Sequence, residues 1–158
     1  MKKLSVDGVA TLLDLANASD AASNEMSLQQ EFGLTALVPY YIKAFYKIKN
    51  WPGRMNISFW LVRYAKTNPA IVEMAIFGTN DRSYIVRNYC FSILAYAGNK
   101  THLNHLKTFA NHKDEKTRSD AAAARDAIVN ENHHYWIDRE HEGNAFWEPG
   151  EVKNDINA

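Results

Sequence analysis

The chain of 158 residues holds one cysteine, Cys90. No internal disulfide can form, and a thiolate metal cluster is excluded. No apolar run approaches the ~20 residues that a membrane-spanning helix needs. The alternation of polar and apolar positions that marks a half-buried strand is missing throughout. Neither sign of charge is in excess: 18 Lys and Arg balance 18 Asp and Glu. No bulk field therefore draws the chain toward nucleic acid or a membrane surface. Catalytic signatures are also lacking. GxSxG, HExxH and a glycine-rich phosphate loop do not occur, which argues against the hydrolytic, zinc-protease and nucleotide chemistries those patterns carry. Paired carboxylates stay open as a chemistry, because folding can join any two acids. We expect no catalysis, no cofactor and no metal.

What is present reads as a globular helical protein. A hydrophobic share of 46% with 23% charged residues is ordinary for such a chain and enough to bury a core. The first residues, Met1-Lys2-Lys3-Leu4, resemble the start of a signal sequence, but Asp7, Asp14 and Asp20 interrupt any apolar run. No signal peptide is expected, and a cytoplasmic location follows. By size the chain is one domain, 1–158. We divide it into a helical stack, 1–132, and an acidic, aromatic C-terminal segment, 133–158.

Apolar residues recur at helical spacing along the stack. Ser5 suits an N-cap before Val6, Val9, Leu12, Leu13 and Ala16. The Ala-, Ser- and Asn-rich stretch 17–24 reads as a loop, followed by a short helical piece ending at Gly33. Leu37, Tyr41, Ala44, Phe45 and Ile48 form the next stripe. Pro52 suits the first turn of a helix carrying Ile57, Trp60, Leu61 and Tyr64, and Asn68-Pro69 opens another with Ile71, Met74, Ala75 and Phe77. Val86, Cys90, Ile93, Leu94 and Ala97 make a buried stripe stopped by Gly98, with Cys90 a small hydrophobe within it. Leu103, Leu106, Phe109 and Ala110 make the next, and the last helix runs over 121–129.

The most organised stretch is 80–128, which contains a self-similarity. Asp81 precedes Val86-Arg87 and a helical pattern ending at Gly98. Asp114 precedes Thr117-Arg118 and a second pattern. Arg87 and Arg118 lie 31 residues apart, within the period range of stacked helix-pair arrays. An Arg in the first turn of a helix opposes the macrodipole. It makes better sense if it reaches an Asp of a neighbouring unit. These residues, with Leu94-Ala95 in the first unit and Ala121-Ala122 in the second, resemble the unit of HEAT-like repeats. Upstream, Arg54, Leu61 and Ala65 sit 33 residues before Arg87, Leu94 and Gly98, and Phe77 sits 32 before Phe109; Pro52 rather than an Asp starts that helix. The expected fold is all-α, a short HEAT-like α-solenoid of roughly seven or eight helices. An irregular helical bundle is the alternative.

In HEAT-like arrays the second helix of each pair lines the concave face, which the resemblance places at about 54–66, 83–97 and 117–130. Residues off the core stripes would then point outward: Met55, Phe59, Val62 and Arg63; Tyr84, Asn88, Phe91, Ser92, Ala95 and Tyr96; Ser119, Ala123, Asp126 and Asn130. Exposed aromatics in adjoining rows suggest a binding surface; a wider core stripe is the plainer alternative.

The segment 133–158 mixes acids with large aromatics. Asp138, Glu140, Glu142, Glu148, Glu151 and Asp155 face only Arg139 and Lys153, among Tyr135, Trp136, Phe146 and Trp147. The aromatics either cap the open end of the stack or anchor a surface for a basic protein partner. The candidate partner-binding residues are thus Phe59, Arg63, Tyr84, Asn88, Phe91, Tyr96, Asp126, Trp136, Asp138, Glu140, Glu142, Phe146 and Trp147, with Asp81, Arg87, Asp114 and Arg118 as repeat-forming residues.

Two further clusters stand out in the sequence. Lys43, Lys47, Lys49, Arg54, Arg63 and Lys66 form a run without acids, usable on phosphates or simply a solvated face. His134, Asp138 and His141 have helical spacing and could share a face as metal ligands need, but Pro149 and Gly150 suggest that helical order fades there. His102 and His105 straddle Leu103 and Leu106 and are expected to face solvent. A small, all-helical, HEAT-like chain with an acidic end resembles the bacterial immunity proteins of contact-dependent and polymorphic toxin systems. That resemblance implies a toxin domain as partner, for instance a basic nuclease. A nucleic-acid-binding or base-processing repeat protein, or a scaffold subunit, is the alternative.

Overall fold

The structure, a computed structural model, describes residues 3–150. These form eight α-helices joined by turns and short 3-10 segments, with no strand among the described residues. The protein is all-α. No helix among them is long and apolar enough to cross a membrane. The chain separates into two compact units that meet at the Leu61–Val62 bond, and each is taken by itself.

The first unit holds α1 (Val6–Leu13), α2 (Ala18–Phe32), α3 (Leu34–Phe45) and α4 (Trp51–Leu61). Ser5 Oγ accepts the Gly8 amide at 3.0 Å and starts α1. The stretch 17–24, expected to be a loop, is instead the first half of α2. Asn17 Oδ1 accepts the amides of Ser19 and Asp20, and this cap outweighs a composition that is merely neutral for helix. Val9, Leu13, Leu28, Leu37, Phe45 and Ile57 fill the core. One polar pair lies within it. Tyr41 donates its hydroxyl to Glu25 Oε1 at 2.9 Å; burial first, and then the Glu25 charge, push the phenol far above its ordinary value.

Gly53 lets two helices come close in this unit. An added Cβ would lie 2.3 Å from the Leu13 carbonyl oxygen, so α4 rests on the end of α1 at backbone distance. Asp14 pins the same junction by accepting the Lys49 and Asn50 amides at 3.0 and 2.8 Å.

The second unit holds α5 (Pro69–Gly78), α6 (Tyr84–Ala97), α7 (Leu103–Lys107) and α8 (Glu115–Val129). α5 packs on α6, α7 on α8, and α6 on α8. Asn68 Oδ1 caps α5 through the Ala70 amide, with Pro69 at its first position. Gly98, at φ +70°, ends α6. Val86, Cys90, Ile93 and Leu94 are buried, as are Leu106 and Phe109. Phe77 departs from its expected stripe and is 60% exposed; three residues from Met74, it lies beyond the arc that α6 covers. His105 is half-buried rather than solvent-facing. Thr79 gives its hydroxyl proton to the Ile76 carbonyl at 2.6 Å, so its oxygen, 2.8 Å from His105 Nε2, accepts from the ring. Burial and the neighbouring His102 lower the His105 pKa.

Arg87 organises this unit. Its Nη1 donates to the Asp81 and Arg82 carbonyls at 2.7 and 3.1 Å. Its Nε donates to Thr117 Oγ1 at 3.0 Å, and its Nη2 reaches Asp114 Oδ2 at 3.2 Å. Asp114 is the N-cap of α8, accepting both the amide and the hydroxyl of Thr117. The first turn of α6 is thereby tied to the first turn of α8. Arg118 donates Nη1 to the His112 carbonyl, six residues upstream, just as Arg87 does to Asp81. In the first unit Arg54 does the same to the Ile48 carbonyl at 2.9 Å. Three arginines thus close the loop that precedes their own helix in one way.

Gly53→Ala should destabilise the protein by about 2–3 kcal/mol, because backbone has to retreat from the new methyl; chemical denaturation measures it. Asp114 gives a pH test. The Thr117 hydroxyl first, then Arg87 and the helix amides, hold its carboxyl below the usual carboxylate range. A group depressed in the folded state contributes stability that is complete above its unfolded pKa of about 3.9. That contribution is lost as pH falls through the lower folded value. Asp114→Asn should be less stable than the parent at neutral pH and should lack this part of the acid-induced loss.

Candidate interaction surface

The face of α6 and α8 is not left open. After α8 the chain turns back at Glu131, which takes φ 53°, and Asn132 caps a 3-10 turn over 133–136 by accepting the His134 amide. This turn packs on α8 and α6. Trp136 is buried beneath it. Asp138 is also buried and accepts the amides of Glu142 and Gly143, both at 2.9 Å, so it holds a turn together and offers nothing to a partner. Arg139 lies over the Trp136 ring at 5.1 Å and donates to the Trp136 carbonyl, Ser119 Oγ and Asp120 Oδ1. His141 stacks on Tyr135 with ring centres 3.7 Å apart and pairs with Asp126 Oδ2.

Residues 144–150 then run as an irregular strap. The Trp147 amide donates to His134 Nδ1 at 3.1 Å. The Trp147 ring meets Tyr96 edge-on at 5.8 Å, and Lys66 caps that Tyr96 ring at 4.3 Å. Glu148 Oε1 lies 3.0 Å from His133 Nε2 and 3.6 Å from His134 Nε2. Pro149 is buried, and Gly150 sits against the Arg63 guanidinium, where a Cβ would meet Nη1 at 3.0 Å. Phe146 leans an edge on His134 at 5.4 Å yet stays 71% exposed.

Several expected surface residues are therefore corrected. Phe91 is fully buried and packs edge-on against Phe109 at 5.1 Å. Val62, Ser92, Ala95 and Ala123 are buried as well. The reason is shared: α6 is covered by α5 on one side and α8 on the other, so its buried arc is wider than one stripe. Trp136 and Asp138 are buried by the chain's own C-terminal turn. Tyr84, Asn88, Tyr96, Asp126, Arg63 and Trp147 are half-buried and engaged within the second unit. Glu140, Glu142 and Phe146 are open to solvent, as is Phe59 at 43% in the first unit. Glu151, Lys153 and Asp155 lie outside the described residues. The helically spaced set His134, Asp138 and His141 does not converge. Within the basic run, Arg54 is buried on a carbonyl and Lys47 pairs with Asp7 at 2.9 Å in the first unit, and Lys66 covers Tyr96 in the second.

Asp120 was missed in the sequence. It is buried and holds Asn88 Nδ2 at 2.8 Å on one oxygen and Arg139 Nη2 at 2.9 Å on the other. The signal was an acid directly before the Ala121 core position, on the arc that α6 faces. Burial first, then a hydrogen bond to Asp120, raise the Tyr84 pKa, and Lys116 and Arg87 approach the same ring. Asp120 thus joins α6, α8 and the C-terminal turn.

An open groove of about 300 Å³ lies elsewhere in this unit, lined by Lys66, Val72, Glu73, Ala97, Asn99 and His102 among others. Asn99 Oδ1 already accepts the Thr101 amide and hydroxyl.

Asp120→Ala should cost about 2 kcal/mol, since it strands Asn88 and the partly exposed Arg139. It should also bring Tyr84 ionisation back toward its ordinary value without reaching it, because burial persists. Denaturant melts and a phenolate difference titration against Tyr84→Phe measure the two effects. No protein-family model, curated protein or solved structure matches this chain.

Proposed function

We propose that this chain is a non-catalytic protein-binding module that grips a basic partner with its C-terminal segment. The observation that carries this reading is Phe146. A phenyl ring 71% exposed sits just before three committed residues: Trp147 on His134 and Tyr96, Glu148 on His133, Pro149 in the interior. A large ring held in place and left open is the kind of anchor that dominates interface energy when a partner pocket closes over it. Glu140 and Glu142, exposed in the same segment, supply rim charges that speed and select a basic partner.

The repeated arginine bonds at Arg54, Arg87 and Arg118 support a HEAT-like build for the stack. Small size, that build and the acidic end together favour a cytoplasmic immunity protein that neutralises a bacterial toxin domain. A nuclease is a fitting target, because acids beside an aromatic imitate the charge its phosphate-binding site expects.

Co-purification with the products of neighbouring genes tests the proposal. A tight stoichiometric partner is expected. Phe146→Ala should weaken it about tenfold or more, and Glu140→Lys with Glu142→Lys should slow association and reduce its salt dependence. A partner whose binding ignores all three changes would refute this placement of the surface. Salt-sensitive retention on DNA would favour a nucleic-acid-binding protein instead.

A further inference from the structure

Helical spacing alone would group His134, Asp138 and His141 as metal ligands. The fold instead gathers His133, His134 and Glu148, whose ligand atoms all lie within 4.8 Å of one another. We propose that these three side chains bind one divalent transition-metal ion of the Zn²⁺ class. This inference is independent of the partner-binding proposal.

Geometry is the first support. Around a tetrahedral Zn²⁺ with bonds near 2.0–2.2 Å, ligand atoms stand roughly 3.3–3.5 Å apart. Glu148 Oε1 is 3.0 Å from His133 Nε2 and 3.6 Å from His134 Nε2, so two edges of such a site already exist. Donor chemistry is the second. Two imidazole nitrogens and one carboxylate oxygen suit Zn²⁺ and its first-row neighbours, and leave a position open for water. The third is the surroundings. Asn132 caps the turn that carries both histidines. Tyr96 and Trp147 pack edge-on against His133, and Phe146 against His134. These rings limit the freedom of both imidazoles and shield them from water on several sides.

One hydrogen bond changes when the ion binds. His134 Nδ1 accepts the Trp147 amide proton, so the neutral ring carries its own proton on Nε2. A metal on Nε2 needs that lone pair, and the proton moves to Nδ1, where it confronts the Trp147 N–H. No proton leaves the ring, but two donors now face each other. The bond to Trp147 breaks and the strap shifts at that residue. Metal binding and the present Trp147 contact exclude one another, and Tyr96 loses part of its cover.

The test is titration of the full chain with Zn²⁺ alone at neutral pH, followed by calorimetry and by tryptophan fluorescence. One ion per chain should bind. His133→Asn, His134→Asn and Glu148→Gln should each weaken binding about tenfold or more, while His102→Asn should not. The fluorescence change should track occupancy and vanish in Trp147→Phe, which still binds metal. Circular dichroism melts establish that the variants fold. No uptake with Zn²⁺ in large excess would overturn the proposal. Uptake that survives both His133→Asn and Glu148→Gln would do so too, by marking an adventitious surface ion.

Discussion

The second unit depends on a guanidinium held at the start of a helix. Arg87 occupies a turn where the macrodipole is unfavourable to a cation, and the structure shows what offsets it. Four hydrogen bonds meet the Asp81 and Arg82 carbonyls, the Thr117 hydroxyl and the Asp114 carboxylate. Loop carbonyls that a tight connection leaves without helical partners are satisfied. The planar fork of Arg suits this task, and a lysine, with one point of charge, could not hold carbonyls and carboxylate together. Asp114 in turn caps α8, so one side chain fixes the starts of two packed helices. Arg54 and Arg118 repeat the first part of this device, the bond to the carbonyl six residues upstream.

The same packing explains why the C-terminal segment is folded onto α8. Two helices laid side by side leave a face that must be covered or made polar. Ala123, Ala124 and Ala127 are buried there, too small to cover it themselves, and Trp136 supplies the missing volume. Burying that indole brings Arg139 and Asp138 along, and both are spent internally. The acids that looked like one surface in sequence therefore divide into a structural one, Asp138, and solvent-facing ones, Glu140 and Glu142.

What the sequence made legible was local. Helix ends were written in Asn68-Pro69, in Gly98 and in the Asp114 cap, because the chemistry of an end lies within a few residues of it. The self-similarity of the arginines was legible for the same reason. Less legible was how many neighbours each helix would have. A single stripe placed Phe91 outside and Phe77 inside; the opposite holds, since α6 has neighbours on two sides and the far edge of α5 does not. The 17–24 stretch was misread because one cap, Asn17, decided what average propensity left even. Helical spacing misgroups the histidines because the backbone there is a 3-10 turn followed by turns and irregular chain. Glu148 reaches His133 through a reversal that no fixed spacing encodes.

That reversal bears on how the exposed ring works. A flexible acidic tail would lose backbone and side-chain freedom on meeting a partner, at roughly 1–2 kcal/mol for each residue ordered. Here Trp147, Glu148 and Pro149 are already held by His134, Tyr96, His133 and the interior. Phe146 is presented by a segment whose entropy was lost during folding, and preorganisation of this kind reduces the cost of association. The arrangement also makes the ring sensitive to its supports. His134 packs steeply against the Phe146 ring and accepts the Trp147 amide on its lone pair, so one imidazole supports both the anchor and its neighbour.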